Sequence, residues 1–240
     1  FGGNDNDSPA GGLAIDGAGN IVIQAMIYSS QIDFGTGPLV SSTVGWDVAL
    51  AKFDAAGAVQ WATLFDNDSA ANPQFVVVDA GGNILIGGTL RGSTAFGGPT
   101  IVAPPCTSGS TPDLYLVKFD GTGSFTWAER FGDCTFQSVW SGAADGSNFV
   151  VTGGFEGSID FGASVIVSGG DRDAYVAKLD SSGTVVWARG FGDAVQQDSY
   201  GVAVDFTGNV FTTGLFQGAI DFGGGPLVAN AGWLEGRVPS

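Results

Sequence analysis

The chain has 240 residues, 24 acidic side chains against 8 basic ones, no histidine and a formal net charge of -16. That length can bury a large core in one domain or two, and a hydrophobic fraction of 44% argues against disorder. The one-sided charge repels a phosphate backbone and an anionic membrane surface, so no nucleic-acid partner is expected, and no apolar run approaches the ~20 residues of a membrane helix.

Glycine is abundant at 41 residues and phenylalanine reaches 18, while only 13% of side chains are charged. Many short strands joined by glycine turns produce this profile. Of the acids only Glu129, Glu156 and Glu235 are glutamate. The rest are aspartates, which favour turns over helices. The chain opens on Phe1 with no signal-peptide pattern, which leads us to expect a processed product or a fragment.

In chain order, the first predicted hairpin turns at Asp16–Asn20, with the pattern D-x-x-G-N. A second follows in "DVALAKFDAAGAVQWATLFDN", turning at Asp54 and Gly57. The same two kinds then alternate: D-x-x-G-N at Asp79, "DLYLVKFDGTGSFTWAERFGD" turning at Asp120 and Gly123, and a one-residue-shorter first type at Asp145. "DAYVAKLDSSGTVVWARGFGD" turns at Asp180 and Gly183, and a last first-type hairpin turns at Asp205. At each turn the aspartate can bond its own backbone and the glycine supplies the positive φ that closes it. Val, Ile, Phe and Trp dominate the flanking runs, as strands require.

The period is visible in the turn asparagines Asn20, Asn83, Asn148 and Asn209, spaced by 63, 65 and 61 residues. Phe34, Phe96, Phe161 and Phe222 keep step, as do Lys52, Lys118 and Lys178, and Trp61, Trp127 and Trp187. Such self-similarity marks a repeat architecture. Seven hairpins give fourteen strands, four to a full repeat, the size of a propeller blade. The predicted fold class is therefore all-β: a β-propeller of four-stranded antiparallel blades with about 3.5 repeats of 60–66 residues. A parallel β-helix ranks second because its coils are shorter and need no tight hairpins. The repeats fall at about 1–64, 65–130, 131–190 and 191–231, forming one domain, with 232–240 an atypical tail.

The words "DAYVAKLDSSGTVVWARGFGD", "GVAVDFTGNVFTTGLF" and "IDFGGGPLV" resemble the bacterial β-propeller repeat (SBBP-type) of secreted and cell-surface proteins. The resemblance covers nearly the whole chain to about Ala231. It implies a scaffold and a secreted or cell-surface bacterial location, but carries no shared catalytic motif. Repeat two departs by the insertion "APPCTSGSTP", and repeat four lacks its second hairpin.

Residues that recur in every repeat solve a problem every repeat has. Trp61, Trp127 and Trp187 are expected to pack between blades. The three lysines should lay their stems along the blade and reach water or an aspartate. "DFG" at Asp33, Asp160 and Asp221 matches the kinase metal triplet in letters only, because the other kinase signatures are missing. Without histidine there is no Ser-His-Asp triad, Cys-His pair or imidazole metal site. A carboxylate-dependent glycoside-active enzyme stays as a third reading.

The leading expectation is a non-enzymatic extracellular module that binds glycan or protein through loops at one end. Its candidate ligand residues are the less regular aromatics Tyr28, Trp46, Trp140 and Tyr200. A structural unit of a surface layer or filament is the alternative, with self-association through the incomplete last repeat. "NDND" at Asn4–Asp7 and "DNDS" at Asp66–Ser69 offer Asp5, Asp7, Asp66 and Asp68 as oxygen ligands for calcium, the one cofactor considered. Cys106 and Cys134 flank the Asp120 hairpin at its open end and are expected to form a disulfide, contributing about 3 kcal/mol.

Overall fold

The computed structural model describes residues 7, 8, 10–42, 46–66, 71–103, 112–229 and 234–236. Among them there is no helix. The strands of the first repeat are β1 (Leu13–Ile15), β2 (Ile21–Ile27), a two-stranded ribbon of β3 (Gln31–Ile32) and β4 (Leu39–Val40), then β5 (Asp47–Phe53) and β6 (Val59–Phe65). The second repeat follows with β7 (Ala71–Val78), β8 (Ile84–Leu90), the ribbon β9 (Ser93–Thr94) and β10 (Ile101–Val102), β11 (Asp113–Phe119) and β12 (Phe125–Phe131). The third has β13 (Ser141–Asp145), β14 (Asn148–Phe155), the ribbon β15 (Ser158–Asp160) and β16 (Val165–Val167), β17 (Asp173–Leu179) and β18 (Val185–Phe191). The fourth has β19 (Gln197–Val204), β20 (Val210–Phe216), the ribbon β21 (Ala219–Ile220) and β22 (Leu227–Val228), and β23 (Leu234–Gly236).

These strands form three four-stranded antiparallel sheets, ordered β1-β2-β5-β6, β7-β8-β11-β12 and β13-β14-β17-β18, and a three-stranded sheet β19-β20-β23. We number them sheets 1 to 4. The fourteen expected strands are all present, and every expected aspartate turn is a hairpin tip. Two features correct the sequence reading. Each repeat carries a third, small hairpin, the ribbon, between its second and third strands. Repeat four also begins a third strand, because β23 pairs with β20 through Gly214↔Gly236, Leu215↔Glu235 and Phe216↔Leu234.

The turns hold by local chemistry. Asp16 Oδ1 accepts the amides of Ala18 and Asn20, each at 2.9 Å, while Gly19 donates to the Asp16 carbonyl. Asp79 and Asp205 repeat the arrangement, as do Asp54, Asp120 and Asp180 in the second hairpins. The "DFG" aspartates cap the ribbon tips: Asp33 accepts the amides of Gly35 and Gly37, and Asp221 those of Gly223 and Gly225. Lys52 Nζ meets Asp16 Oδ2 at 3.0 Å, and Lys178 meets Asp145, so these lysines tie a central strand to the neighbouring turn.

The chain divides into two compact units, Phe1–Pro105 with Tyr115–Arg130, and Cys106–Leu114 with Phe131–Ser240. In the first, the central strand β5 is buried at all seven positions, which explains its continuous apolar run. Phe65, Phe96, Tyr115 and Phe119 pack with Val48, Leu50, Ile84 and Ile86 into one core. Trp61 covers Gly123 in the turn of the next sheet, where a Cβ would lie 3.1 Å from the indole. In the second unit Phe155, Phe161 and Tyr175 form the equivalent cluster, with Tyr175 lying 6.1 Å from Phe155 and 5.7 Å from Phe161. Each fully buried ring contributes about 1.5–3 kcal/mol.

The Cys106–Cys134 bridge expected from the sequence is corrected: it does not stand among the described residues, because Cys106 lies outside them.

Candidate functional site

Antiparallel order places both aspartate turns of a sheet at one end and the ribbon at the other. The turn ends repeat almost unchanged, whereas the ribbon ends differ from sheet to sheet. All four aromatics singled out in the sequence lie at ribbon ends, and the structure brings them together as two pairs.

In the first unit Tyr28, just after β2, meets Trp46, just before β5, with ring centroids 5.6 Å apart and planes at 60°. Trp46 is 44% exposed. The strand end beneath them is held by Asp7, whose carboxylate accepts the Tyr28 and Ser29 amides at 3.0 Å and the Ser29 hydroxyl at 2.9 Å.

In the second unit Trp140, just before β13, meets Tyr200 in β19, with centroids 6.1 Å apart and planes at 58°. The β19 ladder shifts register between Ser199 and Gly201, so Tyr200 stands in a bulge. Its ring is 46% exposed. Partial burial, then the nearby Asp198 carboxylate, push the phenol pKa up.

A polar cluster adjoins this pair. Arg172, in the loop between β16 and β17, pairs through Nη1 with Asp198 Oδ2 at 3.3 Å and through Nη2 with Glu156 Oε1 at 3.5 Å. Its guanidinium carbon lies over the Phe136 ring, 3.7 Å from the centroid. Gln196 Nε2 donates to Asp198 Oδ2 at 3.0 Å. Asp198 is only 3% exposed, yet its Oδ1 has no protein partner, and neither have Arg172 Nε and Trp140 Nε1. Flat apolar faces beside fixed acceptors and donors suit a ligand with an apolar face and a hydroxyl rim.

Sequence reasoning named the aromatics and missed Arg172, Asp198, Glu156, Phe136 and Gln196. A signal existed. The position before the buried aspartate that opens the third strand is Trp46 in repeat one, Pro112 in repeat two and Arg172 in repeat three. That column changes in size and charge while its neighbours repeat. Trp140 and Tyr200 also occupy one column, with Gln74 as their counterpart in repeat two, so they are less singular than expected.

Of the proposed calcium ligands, Asp5 and Asp68 lie outside the described residues. Asp7 anchors β2 as described, and Asp66 accepts the Ser42 amide at 3.0 Å and the Ser42 hydroxyl. Among the described residues no group of three or more His, Cys, Asp or Glu side chains is arranged to hold a metal ion. None of the described helical or strand segments is a helix long and apolar enough to cross a membrane. Compared with known proteins, the chain matches no family model and no curated protein, so what stands of the family resemblance is its architecture of repeated four-stranded antiparallel sheets.

Proposed function

We propose that the chain is a non-enzymatic, secreted or cell-surface binding module of β-propeller type that recognises glycans at the ribbon ends of its sheets. The observation that carries this reading is the pairing of Trp46 with Tyr28 and of Tyr200 with Trp140 on otherwise repetitive scaffolding. Exposed rings stack on the C–H face of a sugar, and a fixed carboxylate such as Asp198 accepts its hydroxyls.

A glycan array probed with the wild-type chain, Trp46→Ala and Tyr200→Ala tests it. The wild type should bind a restricted set of glycans, and at least one variant should lose about tenfold in affinity, or about 1.4 kcal/mol. No glycan bound, or binding unchanged in both variants, would reject the reading.

Self-association is a second reading, favoured by one observation. β23 covers only Gly214–Phe216 of β20, so Val210–Thr213 have no strand on that side among the described residues. Phe211 there is 48% exposed. An uncovered strand edge templates pairing with another chain, and sizing the array samples by light scattering reports it.

A further inference from the structure

Sheets 2 and 3 each bury a tyrosine at one repeated place. Tyr175 sits across the ladder from Gly153, and Tyr115 covers Gly88, where a Cβ would lie 2.7 Å from the tyrosine hydroxyl. Both tyrosines are 0% exposed. Their rings complete an aromatic cluster with the ribbon phenylalanine, Tyr115 lying 4.9 Å from Phe96 and Tyr175 lying 5.7 Å from Phe161. The glycines opposite are obligatory, because a Cβ at Gly88 would lie 2.2 Å from the Asn72 backbone oxygen and one at Gly153 2.0 Å from that of Ser138.

Sheet 4 keeps the glycine and the phenylalanines but not the tyrosine. Gly214 is the counterpart of Gly153, and its partner in the ladder is Gly236. A cavity of about 40 Å³ opens at this place. Phe191, Phe216, Ile220 and Phe222 are among its apolar lining, and Asp198, Ser199, Thr212 and Thr213 are its polar lining. Phe222 still meets Phe191 at 5.0 Å, as Phe161 meets Phe131 at 4.9 Å. Lacking the tyrosine, however, Phe222 is 38% exposed, where Phe96 is 0% and Phe161 4%.

Sheet 1 shows that a small residue here need not leave a hole. It has Ala49 at the tyrosine position, and its ribbon residue Phe34 turns onto Phe53 at 6.4 Å, remaining 3% exposed. Phe53 closes the far end of a complete third strand. β23 spans three residues and offers no counterpart among the described residues.

The backbone slot beside Gly214 is already taken by β23. Among the described residues, what sheet 4 lacks here is a side chain rather than a strand. We propose that this cavity is a binding site for a small free phenol. The ring lies between Phe216 and Phe222, repeating the ring placement of Tyr115 and Tyr175, and the hydroxyl reaches Ser199 and Thr213, whereas the Tyr175 hydroxyl has no protein partner. The enclosed volume exceeds the ~10–15 Å³ that one water needs and falls short of the ~150 Å³ that takes a benzene, so the ring enters from the open side as Phe222 swings outward. Burying the ring supplies the affinity, and the hydroxyl avoids an unpaired polar group at the inner end.

Thermal unfolding of the full chain with para-cresol, with toluene and with neither tests this site separately from the glycan reading, since none of the four paired aromatics lines it, although Asp198 borders both. At ten times its Kd, para-cresol should raise Tm by about 3–6 °C, and toluene by less than half as much. Gly236→Tyr should raise Tm without ligand and abolish the para-cresol response. No rise in the wild type, an equal rise with toluene, or an undiminished rise in Gly236→Tyr overturns the proposal. If Gly236→Tyr does not fold, Phe222→Ala replaces it, being a change at a partly exposed wall. It should weaken para-cresol binding at least about threefold through lost apolar contact, and unchanged affinity also overturns the site.

Discussion

Sheets 2 and 4 are spelled with nearly the same words and end in different states. Each has an aspartate-capped first hairpin, a glycine facing the first strand and a ribbon phenylalanine. In sheet 2 Phe96, Tyr115 and Phe119 are at most 1% exposed, whereas in sheet 4 Phe222, Leu227 and Phe211 are 38%, 42% and 48% exposed. The difference lies in the third strand. β11 runs seven residues and brings Tyr115, Val117 and Phe119 into the core, while β23 runs three and brings Gly236 opposite Gly214. Local turn chemistry builds a hairpin either way, but burial of its apolar face depends on a side chain arriving from elsewhere in the sequence.

The largest expected effect tests that dependence directly. Tyr175→Ala should turn sheet 3 into a likeness of sheet 4, opening a cavity between Phe155 and Phe161. Large-to-small changes at fully buried aromatics cost about 3–5 kcal/mol, readable as a lowered urea midpoint. A loss below about 1 kcal/mol would break the comparison, because the tyrosine could then not be what separates sheets 2 and 3 from sheet 4.

The fourteen strands and seven turns were legible because their causes are local: alternation of apolar residues, an aspartate at the turn entry and a glycine at positive φ, as at Gly57 (φ 84°). The ribbons were not read as hairpins because their strands have only two or three residues, too few to alternate. β23 was missed because "LEG" lacks the D-x-Y pattern of β11 and β17, and only its register against Gly214 reveals its place. The aromatics were individually visible, but their pairing depends on the spacing of strand ends within the folded sheets. Arg172 stands in the loop between β16 and β17. Its ion pairs reach 16 residues back to Glu156 and 26 forward to Asp198, and no local pattern encodes them.

A middle-sized effect concerns the turns. Asp16 caps its turn and also receives Lys52, and both side chains are 7% exposed. Asp205 caps an equivalent turn in sheet 4, where no lysine follows. Asp16→Ala therefore removes the cap and leaves an almost buried ammonium without its carboxylate, for a cost of about 1–3 kcal/mol. Asp205→Ala removes a cap alone and should cost less under the same urea titration. Equal costs would mean that the lysine adds nothing, and that the complete and incomplete sheets differ only in their apolar packing.

The smallest effect sharpens the same contrast through pH. The Asp205 carboxyl is pulled down to about 2 by hydrogen bonds from Asn209 and Thr207. Asn20, against opposing burial and with help from Lys52, holds Asp16 lower still. A carboxyl depressed below its unfolded value of about 3.9 contributes stability that is fully present above that value. The contribution is lost as pH falls through the folded pKa, so the window for Asp205 runs from about pH 4 to pH 2. Asp173 acts in the opposite sense. Burial raises its pKa, so it favours the fold when protonated, and that share is lost as pH rises through its folded pKa. The Asp205→Asn variant isolates the first contribution at a solvent-exposed turn, where the effect is screened. Its Tm should lie about 1–2 °C below wild type at pH 7, and most of the gap should be gone by about pH 2, where about half of the wild-type carboxyl is protonated. A gap that persists unchanged at pH 2 would assign the turn's stability to the geometry of the Asx bond rather than to the carboxylate's charge, and sheets 1 and 4 would then share one turn mechanism with or without the lysine.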